Sequence, residues 1–252
     1  MNKEEYLAYL SYINNGKWHQ IYNDLKSQIT CQKTKYADFC SDQAIKNKSY
    51  ITIFDSDYPL YCNNVWNPPF VLYYYGNKQL LKHKIIMITG NISIYNIIEV
   101  KDSIENFSKE YVFCNEAWKG LDIQLIDYLI SKNKNIIINL ACGIEYAKNS
   151  LPKKWFDYSN LLFISEYPSN YHTSKITLKA RNRISAAISN YLVLLSCYKS
   201  TMNNLIDQFL NIGKEVYCLD DIQNNLNENN FNKNLINEGA GKITSITDLI
   251  LK

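Results

Sequence analysis

Apolar residues in the first 48 positions recur at helical spacing. Tyr6, Leu7, Leu10 and Ile13 make one stripe, and Trp18, Ile21, Tyr22 and Leu25 make a second. Asn14-Asn15-Gly16 breaks the chain between them, and a third short helix is predicted over 35–46. From Tyr50 the texture changes. Short apolar runs predict strands at 51–54, 71–75, 84–89, 111–114, 135–140, 161–164, 191–195 and 215–219. Amphipathic stretches between the later runs predict helices at 93–107, 118–131, 175–189 and 202–212. Such alternation argues for parallel strands joined by crossover helices. The strands are apolar nearly throughout, as a sheet covered on both faces requires. The asparagine-rich stretch 220–234 predicts a surface loop. The expected fold is α/β: a doubly wound, mostly parallel sheet over 49–252, preceded by a small helical domain over 1–48.

Composition narrows the function classes. A hydrophobic content of 46% over 252 residues supports a real core. The net charge of +3 is too mild to mark a nucleic-acid binder by itself, so any such site must be a local patch. The seven cysteines contain no C-x-x-C pair, and with three histidines no zinc spacing arises. Scattered cysteines and an N-terminus unlike a signal peptide predict a cytoplasmic protein. No apolar run approaches the ~20 residues of a membrane span.

Arginine is confined to one place. Arg181 and Arg183 flank Asn182, and the other 25 of the 27 strong cations are lysines. Arginine offers a planar fork that grips phosphate or carboxylate through two parallel hydrogen bonds. At about 100° per residue, a helix over 175–189 sets Lys175, Lys179, Asn182 and Arg183 on one face. Ile176, Ala180, Ile184, Ala187 and Ile188 gather on another, with Arg181 at its border. The first face reads as an anion-facing stripe, with a solvated basic face as the alternative. Arg181 is expected to be partly buried against Glu166 or Asp122.

Ligands of an open parallel sheet bind outside the carboxyl ends of its strands. Gly90-Asn91 lies at one such end, and N–H groups of a helix starting near Ser93 could hold a phosphate there. A plain strand–helix turn fits the same residues, and one glycine does not support a nicotinamide or flavin cofactor. Lys119 on the next turn could reach an anion, while Asp122 could cap the following helix or pair with an arginine. Gly143 permits close backbone approach, and Lys148 follows on an expected exposed loop. Cys142 has no histidine near it in sequence and reads as packing.

These segments resemble one family. Tyr58-Pro59-Leu60, then Asn67-Pro68-Pro69 through Tyr73 and Gly76-Asn77, is similar to a Y-P-x-x-L … D-P-P-x-V-L-Y-x-x-G-N signature. Ser165-Glu166-Tyr167 resembles its S-E-Y segment, and Lys175 through Arg183 resembles K-F-x-F-P-x-R-N-R. Asn234-Leu235-Ile236 with Glu238-Gly239-Ala240 resembles its N-x-L-I-x-x-G-A end. The family is the DNA-processing protein DprA, also called Smf. The resemblance implies an extended Rossmann-like domain with a pocket for single-stranded DNA. It also implies a homodimeric mediator that loads a RecA-type recombinase during transformation, with no catalysis and no cofactor. Asn91 stands at the serine of its G-S-R turn, and Lys148 at a lysine after its Y-P. Lys175, Arg181, Asn182 and Arg183 match directly.

The departures are specific. Ile92 replaces the arginine of G-S-R. The S-G-x-A-x-G-I-D segment reads Asn115-Glu116-Ala117-Trp118-Lys119-Gly120-Leu121-Asp122, with an acid in place of the first glycine. Ala147 replaces a proline, Asp220-Asp221 replaces a P-G, and the chain ends with no room for a C-terminal winged helix. Ile92 cannot hold a phosphate, and Glu116 would repel one. Two alternatives follow. One is a non-enzymatic adaptor with weakened DNA binding. The other is a nucleotide-processing enzyme of the lysine-decarboxylase-like kind, whose P-G-G-x-G-T-x-x-E segment this sequence does not contain.

Overall fold

The computed structural model describes residues 1–90, 100, 103–108, 110–197, 199–220 and 231–249. Helices α1 (Lys3–Ile13), α2 (Trp18–Lys26), α3 (Lys33–Ser41) and α4 (Gln43–Lys46) precede strands β1 (Tyr50–Thr52), β2 (Val71–Gly76), β3 (Lys84–Thr89) and β4 (Tyr111–Asn115). Then come α5 (Leu121–Ser131), β5 (Asn135–Leu140), α6 (Ile144–Lys148), α7 (Lys153–Phe156), β6 (Leu161–Ser165) and α8 (Lys175–Ile188). The chain continues through β7 (Tyr191–Leu194), α9 (Asn203–Asn211), β8 (Val216–Leu219), α10 (Phe231–Asn237) and β9 (Gly241–Ile243). Two compact units result: Met1–Lys78 with Asn139–Ile184, and Gln79–Ile138 with Ser185–Lys252.

In the first unit the N-terminal helices bury Leu7, Leu10, Ile21 and Phe39. The Asn2 side chain caps α1 by accepting from the Glu5 N–H at 2.8 Å. Strand β1 pairs antiparallel with β2, Ile51 opposite Leu72, and β2 pairs antiparallel with β6, Tyr73 opposite Ser165. The parallel expectation therefore fails at β1 and β2. In the second unit the order is β5-β4-β3-β7-β8-β9, and each strand runs parallel to its neighbours in that order. Successive strands step from β3 to one side as β4 and β5, and to the other as β7, β8 and β9. The order reverses between β3 and β7, which places a ligand crevice at their carboxyl ends. Ile85 to Ile88 on β3 are all buried, as a doubly covered strand must be. This is the doubly wound, Rossmann-like arrangement expected from the alternation.

All eight expected strands form, with ends shifted by one or two residues, and β9 is an addition. The helix expected over 118–131 starts later, at Leu121, because Ala117 and Gly120 take positive φ angles of 52° and 92°. The loop expected over 220–234 contains helical residues from Phe231 onward. Much of the helix expected over 93–107 lies outside the described residues. No helix among the described residues is long and apolar enough to cross a membrane.

Helix α8 is fixed at both ends. Ser174 Oγ accepts from the Thr177 N–H at 3.2 Å, and Thr177 Oγ1 accepts from the Ser174 N–H at 2.9 Å. This is a reciprocal N-terminal cap. At the other end the Lys214 ammonium donates to the carbonyls of Ala186 and Ala187, each at 2.7 Å, and to that of Ser189. It thereby neutralises the negative end of the helix dipole.

Gly143 joins β5 to the segment that leads into α8. Its N–H donates to the Tyr171 carbonyl at 2.8 Å, and the Tyr146 N–H donates to the Ser169 carbonyl at 3.0 Å. A Cβ at Gly143 would lie 2.0 Å from the Pro168 oxygen and 2.3 Å from that of Ser169. Both obstacles are backbone, so the turn must shift. Gly143→Ala is expected to lower stability by at least about 1–3 kcal/mol. Urea unfolding checks this, and an unchanged midpoint would refute the close approach.

Candidate nucleic-acid interface

In the second unit, Gly90 follows β3 and packs against the backbone of Ser196, just beyond β7. Asn91 and Ile92 lie outside the described residues. The turn from β4 to α5 is tied to this strand end. Asn115 Nδ2 donates to the Ile88 carbonyl at 2.7 Å, and its Oδ1 accepts from the Ala117 N–H at 2.7 Å. Asp122 is fully buried and receives the Thr89 hydroxyl at 2.9 Å, the Gly90 N–H at 3.4 Å and the Trp118 N–H at 3.3 Å. Of the two roles open to it, this carboxylate therefore organises the turn and helix start. Burial pushes its pKa from the ordinary 3.8 up to about 6, against hydrogen bonds from Asn115 and Thr89. Glu116 adds like-charge repulsion and itself accepts from Ser185 Oγ at 2.8 Å. Trp118 and Lys119 are exposed on this turn.

In the first unit, Lys175 and Lys179 are exposed on the opening turns of α8, as the stripe requires. Asn182 is half-buried, and the stripe does not continue to Arg183. That residue is 8% exposed and forms an ion pair with Glu166. Its Nε donates to the Asn67 carbonyl at 2.9 Å and its Nη1 to the Ala180 carbonyl at 2.6 Å. Burial alone would lower the guanidinium pKa, but the Glu166 carboxylate more than offsets this and holds it up. The expected division of labour is thus corrected: the arginine paired with Glu166 is Arg183. Arg181 is buried as well, and its carbonyl accepts from Asn139 Nδ2 at 3.1 Å. The physical reason lies along the helix axis. Except for Asn182, every residue from Arg181 to Ile188 is buried. Angular phase therefore decides exposure only in the first turns.

Lys148 is also corrected. It closes α6, not an exposed loop, and its ammonium pairs with Glu145 at 2.7 Å and sits 4.5 Å from the Tyr75 ring centroid. Two tyrosines of this unit have ring partners within it: Tyr146 lies 4.4 Å from the His172 ring, and Tyr171 stacks on Tyr167 at 5.1 Å. Cys142 is buried, and burial raises its thiol pKa, which disfavours a nucleophilic thiolate. A cleft of about 670 Å³ in this unit is lined by Lys35, Asp38, Asp42, Ser169, His172 and others. Its mixed charge does not suit a polyanion. No cluster of metal-ligating side chains occurs among the described residues.

Sequence reasoning missed the Asn67-Pro68-Pro69 segment as a structural element. Its three successive carbonyls accept from Arg183 Nε, from Trp18 Nε1 at 2.7 Å and from the Tyr58 hydroxyl at 2.8 Å. The paired prolines were the available signal, because a segment without N–H groups offers only acceptors. Of the candidate cations, Lys119 in one unit and Lys175 and Lys179 in the other are exposed and form no ion pair among the described residues. They can supply phosphate contacts but no bidentate grip.

Two measurements test these assignments. Arg183→Ala is expected to lower stability by about 3–5 kcal/mol, because it leaves the Glu166 charge buried and unpaired. Arg183→Lys should recover only part of that, since an ammonium cannot reproduce the three-way fork. A wild-type urea midpoint for Arg183→Ala would return this side chain to the ligand face. For Asp122, the raised pKa stabilises the fold fully below about pH 3.8, and this contribution is lost as pH rises through about 6. Wild type should therefore lose on the order of 3 kcal/mol relative to Asp122→Asn between pH 4 and pH 7. Parallel stability–pH curves for the two proteins would contradict the buried carboxylate.

The sequence profile of the family described as DNA recombination-mediator protein A matches residues 49–252. The DNA processing protein DprA of Streptococcus pneumoniae is 25% identical over 206 residues, covering 79% of this chain and 72% of that protein. The X-ray structure of DprA from Streptococcus pneumoniae superposes with a TM-score of 0.74 at 22% identity, covering 100% of this chain and 98% of that one. A structure of DNA processing protein A from Helicobacter pylori, whose description concerns a single-stranded DNA binding mode, gives 0.66 at 21% identity. It covers 80% of this chain and 94% of that one. With the profile spanning most of its length and the strand order reversing at β3, the chain belongs to the DNA recombination-mediator protein A family, the DprA family.

Proposed function

We propose that the protein binds single-stranded DNA as a non-catalytic, cytoplasmic recombination mediator, acts as a homodimer and delivers the strand to a RecA-type recombinase. The observation that carries this reading is membership of a recombination-mediator family across residues 49–252. Exposed lysines on turns at strand ends and on the first turns of α8 support it. Lys119, Lys175 and Lys179 are exposed, form no ion pair among the described residues and can neutralise backbone phosphates. A second reading, an adaptor with weakened DNA affinity, is favoured by one specific observation: the Arg183 guanidinium is enclosed with Glu166.

Fluorescence anisotropy with a labelled oligo-dT over a salt series separates the two. Binding at low salt that weakens as salt rises is expected for the mediator. Replacing both Lys175 and Lys179 by alanine should reduce the slope of log affinity against log salt by about 1.4, at ~0.7 per phosphate contact on a single strand. The melting temperature should not change, because both side chains are exposed. Absence of binding at low salt would favour the adaptor.

A further inference from the structure

Trp118 is the one large aromatic side chain on the turn from β4 to α5, and it is 48% exposed. Its ring makes no aromatic contact among the described residues. Its backbone is nevertheless held firmly. The Trp118 N–H donates to the buried Asp122, the preceding Ala117 has a φ of 52°, and the Ala117 N–H is bound by Asn115. Asn115 and Asp122 are in turn bonded to Ile88, Thr89 and Gly90 at the end of β3. A half-exposed indole on a backbone fixed from both sides stands at the carboxyl end of the parallel strands, where ligands of such sheets bind.

We propose that Trp118 is a stacking platform for one base of a single-stranded nucleic acid, with Lys119 beside it contacting the adjoining backbone. This rests on the single-strand-binding reading above and names what the turn contributes to it. The charges decide what kind of contact is made. Glu116 and Asp122 are both acids of this turn, so a phosphate is disfavoured against its backbone. The face of a neutral base carries no such penalty, and stacking is tolerant of base identity. Trp118 stands at the place of the alanine in the S-G-x-A-x-G-I-D pattern, which has no comparable ring. Because the backbone that carries the indole is already held, little main-chain freedom is lost on binding, which favours its use as a contact.

The test compares wild type, Trp118→Ala and Trp118→Phe by anisotropy with a labelled oligo-dA and with an oligomer of abasic sites that keeps the phosphates. Trp118→Ala should weaken oligo-dA binding roughly tenfold, the scale of one lost base stack. Trp118→Phe should retain most of the affinity, and all three proteins should bind the abasic oligomer equally. Trp118→Ala gives up the buried half of the ring and should melt somewhat below wild type, so equal binding of the abasic oligomer is the control that its fold is intact. Equal oligo-dA affinity for wild type and Trp118→Ala overturns the stacking role while leaving single-strand binding in place. Loss of affinity for both oligomers in Trp118→Ala also overturns it, because the residue then acts on the fold or the phosphates. No wild-type binding to either oligomer overturns the underlying reading and this inference with it.

Discussion

Glu166 is only 4% exposed, and inside the first unit its carboxylate meets the Arg183 guanidinium. Several segments meet at this pair. The arginine fork reaches Asn67 and the Ala180 carbonyl as well as the carboxylate, joining the loop before β2 to α8. On the other side, the Glu166 backbone carbonyl lies where a Cβ at Gly16 would come within 2.4 Å. Gly16 itself has a φ of 68°, so the break between α1 and α2 is seated directly on this residue. A buried ion pair contributes little net energy against a well-packed apolar substitute. Its importance here is geometric: one planar group satisfies three acceptors in directions that only a guanidinium matches.

This constraint explains what was and was not legible in the sequence. The concentration of arginine at two positions marked the right helix, and the two ends of α8 fall within a residue of the expected span. The assignment of roles failed because helical phase treats every turn as equally exposed. Lys175, Ile176 and Lys179 on the first turns are in solvent, and Ile176 is 80% exposed despite lying on the apolar face. Ser185, a small polar residue, is fully buried and donates to Glu116. Exposure therefore follows position along the axis more than angle around it. A sequence gives no direct signal of where a helix passes under its neighbours.

The second unit was more readable because its strands are apolar throughout, and a run such as Lys84–Thr89 has few other uses. The tie between β3 and the following turn was harder to see. It depends on Asn115 and Asp122 facing inward, and both residues are commoner on surfaces. They are retained inside because each meets donors or acceptors at a strand end, where backbone groups leave the ladder and need partners. The same tie gives the turn a defined shape despite two residues with positive φ, Ala117 and Gly120.

The carbonyls of Asn67, Pro68 and Pro69 carry a further consequence, for how distant parts of the chain are joined. Their donors, Arg183, Trp18 and Tyr58, are separated from them by 116, 50 and 11 residues. Two prolines in a row supply no N–H, so the segment cannot gain order from a local ladder or helix. The bonds from Arg183 and Trp18 each close a long loop, and that closure entropy must be met before such distant contacts give any return. Two of its three hydrogen bonds therefore tie together parts of the chain that are far apart in sequence. The Trp18 indole, stacked on Phe70 at 5.1 Å and bonded to Pro68, is one of the two long-range anchors that hold it.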